Sequence, residues 1–344
     1  MLQILNTLYI TTLDAYVHLD NDTVRVDVHR ETRLRVPIHH LGSLVCFGNV
    51  LLSPSIIARC AKEGIGVVIL DVNGRFRARV EGPVSGNILL RQAQHRLALD
   101  ATFALDIARA AIAGKIRNSR SVLLRGARDS NDPADVEALA AAALHLEGGL
   151  RGAAEAADLD VLLGVEGDAA RTYFSVLTRL VRTDVRESFG IDGRSRRPPR
   201  DRMNSLLSFL YSMLMNDCRS AVESVGLDPQ LGFLHAVRPG RAALALDLME
   251  EFRACIADRL ALTLVNRMQL QRDDFEEREG GAVQLKEDSR RKVIVAYQER
   301  KQEEVTHPVL DARMSVGLLP FTQARLLARC VRGEGAGYMP FISR

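Results

Sequence analysis

The stretch LLRQAQHRLALDATFALDIARAAIAGKIRNSRSVLLRGA, residues 89–127, marks the point where the sequence changes character. Its apolar residues recur at spacings of three and four, and alanine becomes common, which is typical of amphipathic helices. Helical patterns then continue to about residue 330. Residues 272–285 interrupt them, and Gly280-Gly281 in that segment predicts a hairpin or a loop. The stretch therefore predicts a helical region that fills most of the chain.

The residues before this stretch predict strands. Apolar and polar residues alternate over residues 8–19 and 23–38, as in half-buried strands. VVIL, residues 67–70, reads as a buried strand, and FRARV, residues 76–80, as its return after the Asn73-Gly74 turn signal. Ser53-Pro54 and Gly64 predict the start and end of a short helix. We therefore predict an α+β fold, with a small β-rich domain at residues 1–90 and a larger all-α domain at residues 91–344.

Composition places the chain among ordinary globular proteins. It has 344 residues, of which 47% are apolar and 26% charged, and a net charge of +3. Its five cysteines are scattered and never form C-x-x-C, which argues against a disulfide framework and a cysteine zinc site and favours a reducing cytoplasm. Neither a basic secretory leader nor a run of 18 apolar residues occurs, so we expect no membrane span.

A glutamate lies in an apolar helical row within residues 158–181. Read as a helix, this segment places Glu166 on one side with Leu162, Tyr173 and Leu177. A carboxylate on a buried face is costly unless it is paired or bound to a cation. The helix alone favours an ion-paired glutamate at the edge of the core and leaves a cation ligand as the alternative.

A second group of acids follows a histidine in LGFLHAVRPGRAALALDLMEEFR, residues 231–253. A Pro-Gly turn separates His235 from a helix in which Asp247 and Glu250 share one face. That face could line a cleft or be a solvated acidic surface, and we expect Glu251 and Arg253 to be ordinary surface. A histidine combined with carboxylates from separate elements suits Mg²⁺ or Mn²⁺ better than structural zinc.

Basic residues cluster in three places of this nearly neutral chain. GRSRRPPRDR, residues 193–202, carries five arginines on a segment that Pro198-Pro199 keeps from being helical. Such a segment fits either phosphate contacts or a solvated linker, and the run alone does not decide between them. The other two clusters lie in residues 114–125 and 289–301.

These pieces together resemble one family, the CRISPR-associated integrase/endonuclease of spacer acquisition, the first of the universal CRISPR proteins. The matching words are GKIRNSR (114–120), LLGVEGDAARTYF (162–174), RSRRPPRDRMNSLLSFLYSML (194–214), GLDPQLGFLH (226–235) and LALDLMEEFR (244–253). The resemblance covers nearly the whole chain. The wording RSRRPPRD and GLDP is most similar to the type I-C branch.

The resemblance implies a role for each candidate residue. It makes Glu166, His235 and Glu250 the ligands of a catalytic divalent metal, Mg²⁺ or Mn²⁺, and gives Asp247 a supporting or partial ligand role. We also expect contacts to DNA from basic residues in and around the matching words. These residues are Lys115, Arg117, Arg120, Arg171, Arg194, Arg196, Arg197, Arg200 and Arg241.

The resemblance also implies an assembly and a reaction. Two copies would pair through their N-terminal domains, and two such dimers would flank a dimer of the small second adaptation protein, giving a heterohexamer. The complex would hold double-stranded prespacer DNA and join it to the CRISPR repeat by attack of a 3′-hydroxyl on a repeat phosphodiester. Whether an accessory trimming nuclease joins the complex stays open.

Two other functions compete with this one. The first is a catalytically silent DNA-binding scaffold of the same complex, which the intact set of Glu166, His235 and Glu250 disfavours. The second is an unrelated metallohydrolase that acts on a small molecule, which the three basic clusters disfavour.

Overall fold

The structure is a computed structural model that describes residues 7–343 except 73, 75, 81, 83–87, 192, 196 and 336. The chain divides into two compact units. One comprises Met1–Gly86 with Arg290–Ile294, and the other Asn87–Ser289 with Val295–Arg344. Strands dominate the first unit and helices the second, which confirms the predicted α+β fold. The dimerisation role of the N-terminal domain stays a prediction.

Two four-stranded sheets form the first unit. Its strands are β1 (Thr7–Ile10), β2 (Tyr16–Asp20), β3 (Thr23–Val28), β4 (Glu31–Pro37), β5 (Ser43–Phe47), β6 (Leu51–Leu52), β7 (Gly66–Leu70) and β8 (Phe76–Val80). One sheet has the order β1-β5-β7-β8, parallel except for the antiparallel pair β7–β8. The other has the order β4-β3-β2-β6, with only β2 and β6 parallel. Aliphatic side chains from both sheets form one core cluster.

Local sequence signals account for the helix and the hairpin of this unit. Helix α1 (Pro54–Glu63) begins where the Ser53 hydroxyl accepts the backbone N–H of Ile56, and it ends at Gly64, whose φ is +70°. Both ends are where the sequence predicts them, because serine caps an N-terminus and glycine adopts positive φ without strain. Strands β7 and β8 pair as predicted, while Asn73 of the turn signal lies outside the described residues.

The second unit is built mainly from helices. They are α2 (Ile88–Ala98), α3 (Ala101–Asp129), α4 (Pro133–Glu155), α5 (Leu159–Val176), α6 (Thr183–Phe189), α7 (Arg202–Ser224), α8 (Ala243–Met249), α9 (Arg259–Asn266), α10 (Glu287–Gln302) and α11 (Leu319–Val331). Helices α3, α4 and α5 pack against one another, and α7 packs against α8 and α11. This packing brings α3, α5 and α8 close to one another, and these three helices carry most of the candidate site.

Aspartates begin the four long helices of this unit. The carboxylates of Asp100, Asp132, Asp158 and Asp201 accept backbone N–H groups in the first turns of α3, α4, α5 and α7. Each such cap stabilises a helix by about 1 kcal/mol. Asp100 also divides the continuous helical pattern of residues 89–127 into two helices, because its extended backbone ends α2 before it caps α3.

Two hairpins interrupt the helices. Strands β9 (Phe275–Arg278) and β10 (Ala282–Leu285) pair across Gly280 and Gly281, both at positive φ, as the sequence predicts. Strands β11 (Glu304–His307) and β12 (Ala312–Ser315) form a second hairpin that the sequence analysis does not predict. Each of these two strands has only four residues, so their alternation is too short to stand out from the helical background.

The helix expected over residues 242–262 is not continuous. Helix α8 ends at Met249, and Arg253–Asp258 adopt a π-helical winding before α9 begins. A π-helix has a longer period than an α-helix, so residues after Glu250 leave the faces that an ideal 3.6-residue period assigns to them. This change of winding decides where Glu251 and Arg253 point.

Within the described residues, no helix is long and apolar enough to cross a membrane. The five cysteines are all free and buried.

Candidate functional site

The loop that carries His235 is folded around the Asp247 carboxylate. Asp247 Oδ2 accepts the backbone N–H groups of Phe233 (2.7 Å) and Leu234 (3.0 Å). Its Oδ1 accepts the N–H of His235 at 3.0 Å and lies 2.7 Å from that residue's ring Nδ1. Gly232 permits this approach, because a Cβ there would stand 2.6 Å from Asp247 Oδ2. His235 therefore folds back onto the helix that carries the acids, with its ring orientation fixed.

Lys115 of α3 joins the two candidate glutamates. Its Nζ donates a hydrogen bond to Glu166 Oε1 of α5 and lies 2.8 Å from Glu250 Oε2, which directly follows α8. His235 Nε2 lies 3.8 Å from the other oxygen of Glu250. The structure thus gathers Glu166, His235 and Glu250 into one cluster, which we call the acid cluster. Its side chains are mostly shielded from solvent, with 24% of Glu166 and 4% of Glu250 exposed.

Lys115 has a different position from the one expected for it. We predicted a contact with DNA phosphate, but its ammonium is held between two carboxylates and its side chain is only 16% exposed. The ion-paired alternative for Glu166 therefore describes this structure, with a lysine rather than an arginine as partner. The sequence carries no spacing signal for the contact, because α3 and α5 meet only through tertiary packing.

Opposing effects act on the Glu250 carboxylate. Burial raises its pKa, but the nearby charges of Arg253 and Lys115, followed by that of His235, outweigh burial and lower the pKa to about 2. The Arg253 guanidinium lies 2.9 Å from Glu250 Oε1 and 4.8 Å from the centre of the Tyr211 ring. Glu250 is therefore a charged carboxylate over the whole physiological range.

The expectation that Glu251 and Arg253 are solvated surface is wrong. Arg253 is 14% exposed and pairs with Glu250, and Glu251 is 0% exposed. The Glu251 carboxylate accepts hydrogen bonds from the Tyr338 hydroxyl, Gln323 Nε2 (2.9 Å) and the Phe341 N–H (2.7 Å). Burial raises the pKa of Glu251 to about 7 despite these bonds. The periodicity argument failed here because the winding changes after α8.

Residues 338–343, which we call the C-terminal strap, contact Glu251 and Asn118. Asn118 of α3 donates its amide to the carbonyl oxygens of Glu251 (2.7 Å) and Phe341 (2.9 Å). Its side-chain oxygen accepts the N–H of Ser343 at 2.7 Å. One buried amide thus fastens α3, the segment after Glu250 and the strap together, which restricts the movement of the acid cluster.

Within the described residues, no three His, Cys, Asp and Glu side chains stand in an arrangement that could hold a metal ion. Lys115 is the physical reason, because its ammonium takes the space between the two carboxylates. The donor set still fits a divalent cation. The Glu250 Oε2 atom is buried and lacks a contact with hydrogen-bond geometry, although Lys115 Nζ is 2.8 Å away. Two carboxylates and an imidazole nitrogen are donors that suit Mg²⁺ or Mn²⁺.

The arginine-rich segment is anchored rather than loose at its first arginine. The Arg194 guanidinium donates to the Asn204 side-chain oxygen (2.5 Å) and to the Ser208 hydroxyl (3.1 Å), and it lies 5.3 Å from the centre of the Tyr211 ring. These contacts engage both terminal nitrogens of Arg194, and its contact with DNA stays a prediction. Arg196 lies outside the described residues.

The other predicted DNA contacts differ in exposure. Arg120 pairs with Glu147 at 2.7 Å and Arg171, 81% exposed, lies 3.8 Å from Asp168. Arg241 is half-buried and follows the turn that includes Gly240. The remaining three are exposed, namely Arg117, Arg197 and Arg200.

Another buried carboxylate, Asp258, lines the same cavity as Lys115. Asp258 is 1% exposed and accepts hydrogen bonds from the hydroxyls of Tyr211 (2.7 Å) and Tyr173 (3.1 Å). Burial raises the pKa of Asp258 from 3.8 to about 6 in spite of both bonds. The sequence analysis did not single out Asp258, because the helical pattern gave no sign that both tyrosines would converge on it.

We predict that Asp258→Asn removes a pH-dependent loss of stability. Because the pKa of Asp258 is higher in the folded state than in the unfolded state, its protonated form stabilises the fold. That stabilisation is full below about pH 4 and is lost as pH rises through about 6. The rise from 3.8 to about 6 corresponds to about 3 kcal/mol. Denaturant unfolding between pH 4 and pH 8 should therefore show the neutral variant gaining about 3 kcal/mol on the wild type as pH increases. A constant difference across that range would contradict the assignment.

Comparison with known proteins identifies relatives over the whole length. The family described as "CRISPR associated protein Cas1" matches residues 8–299. A protein of Moorella thermoacetica called CRISPR-associated endonuclease Cas1 1 is 54% identical over 341 residues, which is 99% of each chain. A protein of the same name from Chlorobaculum tepidum is 47% identical over 340 residues, again 99% of each chain.

Solved structures share the fold. A Cas1 protein of Thermotoga maritima superposes with a TM-score of 0.83 at 23% identity, covering 96% of this chain and 99% of that one. A casposase bound to an integration product gives a TM-score of 0.82 at 23% identity, covering 97% and 92%. A Cas6-RT-Cas1–Cas2 complex gives 0.83 at 22% identity, covering 97% of this chain and 36% of the longer one.

Proposed function

This chain belongs to the Cas1 family of CRISPR-associated proteins, and from that premise we propose that it is a metal-dependent DNA endonuclease and integrase of CRISPR adaptation. The observation that carries the proposal is the acid cluster, in which Glu166, His235 and Glu250 come from separate elements to one place. The name of the 54% identical relative supports the endonuclease activity. The wording of residues 194–201 and 226–229 supports a place in the type I-C branch.

Each residue of the cluster has a stated task in this proposal. Glu166 and Glu250 would supply carboxylate oxygens to a divalent cation, and His235 would supply Nε2. The second ring nitrogen, Nδ1, lies 2.7 Å from Asp247 Oδ1, and a carboxylate in that position fixes the tautomer that leaves Nε2 with its lone pair. This geometry favours His235 as a ligand over His235 as a general base.

Asp247 acts as a positioning residue rather than a ligand. Its two oxygens already accept or face four donors, three from the backbone of residues 233–235 and one from the His235 ring. A carboxylate engaged in this way has little capacity left to bind a metal. Replacing a hydrogen-bond partner of a metal ligand typically weakens metal binding by about 10–100-fold.

The proposed reaction is a phosphoryl transfer. The prespacer 3′-oxygen forms a new bond to phosphorus as its hydroxyl proton passes to solvent. The bond from phosphorus to the repeat strand's own 3′-oxygen breaks, and that oxygen takes a proton from solvent. Water in place of the 3′-hydroxyl would cut the strand instead. When bound, Mg²⁺ or Mn²⁺ would activate the attacking oxygen and offset charge on the phosphate. With the metal bound, Lys115 would have to leave its place between the carboxylates, and its ammonium would then be available to a phosphate oxygen.

Exposed basic residues near the arginine-rich segment would hold the DNA duplex by its backbone. Arg197 and Arg200 are exposed beside α7, while Arg117 is exposed on α3, the helix that carries Lys115. Contacts to phosphate position a duplex without reading its sequence, which suits a protein that accepts many prespacers.

The proposed partners follow from the family. Similarity to a chain within a Cas6-RT-Cas1–Cas2 complex supports the small second adaptation protein as a partner. We propose a homodimer through the N-terminal unit and a heterohexamer with that small protein. An accessory trimming nuclease is an additional proposed partner.

A silent DNA-binding scaffold remains the competing function. It predicts that the acid cluster is only a structural ion-pair network. The burial of Glu250 and its low pKa suit either role, since ion pairs alone also perturb a pKa. The competing function therefore has to be excluded by activity.

Metal removal tests the proposal. Purified protein with the small second subunit should join a labelled duplex to a plasmid that carries the repeat when Mg²⁺ or Mn²⁺ is present. Chelation should reduce joining to background, and added metal should restore it, because the carboxylates cannot activate the hydroxyl alone. Gel analysis of strand transfer measures the effect, and DNA binding in chelator serves as the control. Joining that persists in chelator would contradict the metal, and absence of joining under all conditions would favour the scaffold.

A further inference from the structure

The last turns of α3 and the first residue of α9 line a cleft of about 270 Å³ that is separate from the acid cluster. Three of the residues that line it are arginines, Arg125, Arg128 and Arg259. Among the described residues no carboxylate lines this cleft, which we call the arginine cleft. Its polar remainder is made of Asn118, Ser121 and Ser343.

Within the described residues Arg259 is not paired with a carboxylate, although the charge of Glu303 acts on it from nearby. The side chain is half-buried, and within the described residues its guanidinium takes part in neither an ion pair nor a hydrogen bond. Burial is the largest cause that lowers the pKa of Arg259, and the nearby charges of Arg300 and Arg125 lower it further. A partly desolvated cation that other cations surround is costly, and a bound anion would remove much of that cost.

The neighbouring acids do not neutralise the arginine cleft. Asp129 is shared by Arg125 at 3.5 Å and Arg128 at 3.4 Å, and all three side chains are more than half exposed. Exposed ion pairs of this kind contribute about 0–1 kcal/mol to the free energy of unfolding, so a more highly charged anion can replace the aspartate. Arg300 pairs with Glu303 and donates to the Cys255 carbonyl oxygen (3.2 Å), and it does not line the cleft.

We propose that the arginine cleft binds a backbone phosphate of DNA, with Arg259 as the principal contact and Arg125 and Arg128 at its mouth. This inference rests on the proposed function for the nature of the ligand. A guanidinium presents paired donors that match two oxygens of one phosphate. The exposed Asp129, which two arginines share, does not provide such a pairing for Arg259. The contact would be independent of base sequence, because it involves the backbone alone.

Helix α3 connects the arginine cleft to the acid cluster. Arg125 follows Lys115 by ten residues on this continuous helix, so the two lie about 15 Å apart along the axis at a rise of about 1.5 Å per residue. That distance is about four base-pair steps at about 3.4 Å each. A phosphate held in the cleft would therefore set how far the duplex extends beyond the bond that reacts at the cluster.

Arg259→Gln tests the inference, since it removes the charge and keeps much of the side-chain volume. Binding of a labelled duplex by the full chain should be measured by fluorescence anisotropy between about 50 and 300 mM salt. One lost phosphate contact should reduce the slope of log affinity against log salt by about 0.9 and weaken binding about tenfold at about 0.1 M salt. Arg259→Lys should restore most of the slope. Arg313→Gln, an equal charge change on the hairpin of β11 and β12, should leave the slope unchanged.

The outcomes separate this inference from the proposed function. A normal slope in Arg259→Gln, with wild-type DNA binding intact, overturns the arginine cleft alone. A wild type that binds no DNA overturns the proposed function. Inorganic phosphate provides a second arm: if it raises the melting temperature of the wild type but not of Arg259→Gln, while the DNA slope stays normal, the cleft holds a free anion and the backbone assignment is wrong. A cooperative melting transition of Arg259→Gln without ligand, at or above the wild-type temperature, confirms that the variant is folded.

Discussion

Glu166→Gln is expected to reduce strand joining about 10³-fold or more while DNA binding stays within about twofold of the wild type. A carboxylate that holds a catalytic metal contributes several kcal/mol to the transition state, and about 4 kcal/mol corresponds to that factor. Glu166 contacts Lys115, and none of the hydrogen bonds or ion pairs of its side chain within the described residues involves an arginine. Strand-transfer gels and anisotropy on the same protein preparation give the two measurements.

Asp168→Asn is the matched control for Glu166→Gln. Asp168 lies on the same helix, two residues after Glu166, and its replacement by Asn removes the same charge. Its side chain is 53% exposed and lies 2.5 Å from His145, away from the acid cluster. Joining by this variant should stay near the wild-type rate. Equal joining by Glu166→Gln and Asp168→Asn, with Mg²⁺ or Mn²⁺ present, would refute the catalytic role of Glu166 and leave only its ion pair with Lys115.

Lys115→Met is expected to lower stability in chelator by about 3 kcal/mol, because it removes one partner of a mostly buried ion-pair network. In a chain of 344 residues that loss lowers the melting temperature by about 4 °C. Divalent metal should reverse the loss, since the space between Glu166 and Glu250 then has no competing ammonium. Added Mn²⁺ should consequently raise the melting temperature of the variant more than that of the wild type.

Lys62→Met controls for the lost charge. Lys62 is exposed near the end of α1 in the first unit, and its replacement should change the melting temperature little, with or without Mn²⁺. Two results would count against the role of Lys115. One is an unchanged melting temperature of Lys115→Met in chelator, and the other is a metal response no larger than that of Lys62→Met.

Local signals predicted most of the fold because each depends on a few neighbouring residues. The Ser53 cap, the Gly64 stop and the Gly280-Gly281 turn are properties of short stretches, and the structure has each where the sequence predicts it. The pairing of β7 with β8 followed from a buried apolar run, a turn signal and a return strand that lie next to one another in the sequence. The break at Asp100 was missed because an aspartate within an apolar helical pattern reads equally well as a surface residue.

The candidate site was predictable only in part. Glu166, His235 and Glu250 could be selected because acids and a histidine stand out in apolar segments, and the resemblance gave them roles. The contact of Lys115 with two of them is set by how α3 packs, and no residue spacing carries that information. Glu251 and Arg253 were misplaced because periodicity assumes one winding, while the chain changes to a π-helix after α8. Arg259 stayed unnoticed, since an arginine without a partner looks the same in a sequence as one with a partner.

The C-terminal strap has a consequence for the time at which this protein becomes active. Glu251 loses its hydrogen-bond partners if Gln323, Tyr338 and Phe341 are missing, and a buried carboxylate without partners is unstable. Likewise, the side-chain oxygen of Asn118 accepts a hydrogen bond from Ser343, which lies 225 residues later in the chain. A ribosome adds about 5–20 residues per second, so these contacts form about ten seconds or more after Asn118 is made. The segment that carries Glu250 and Glu251 would thus lack these contacts until residues 338–343 had been synthesised.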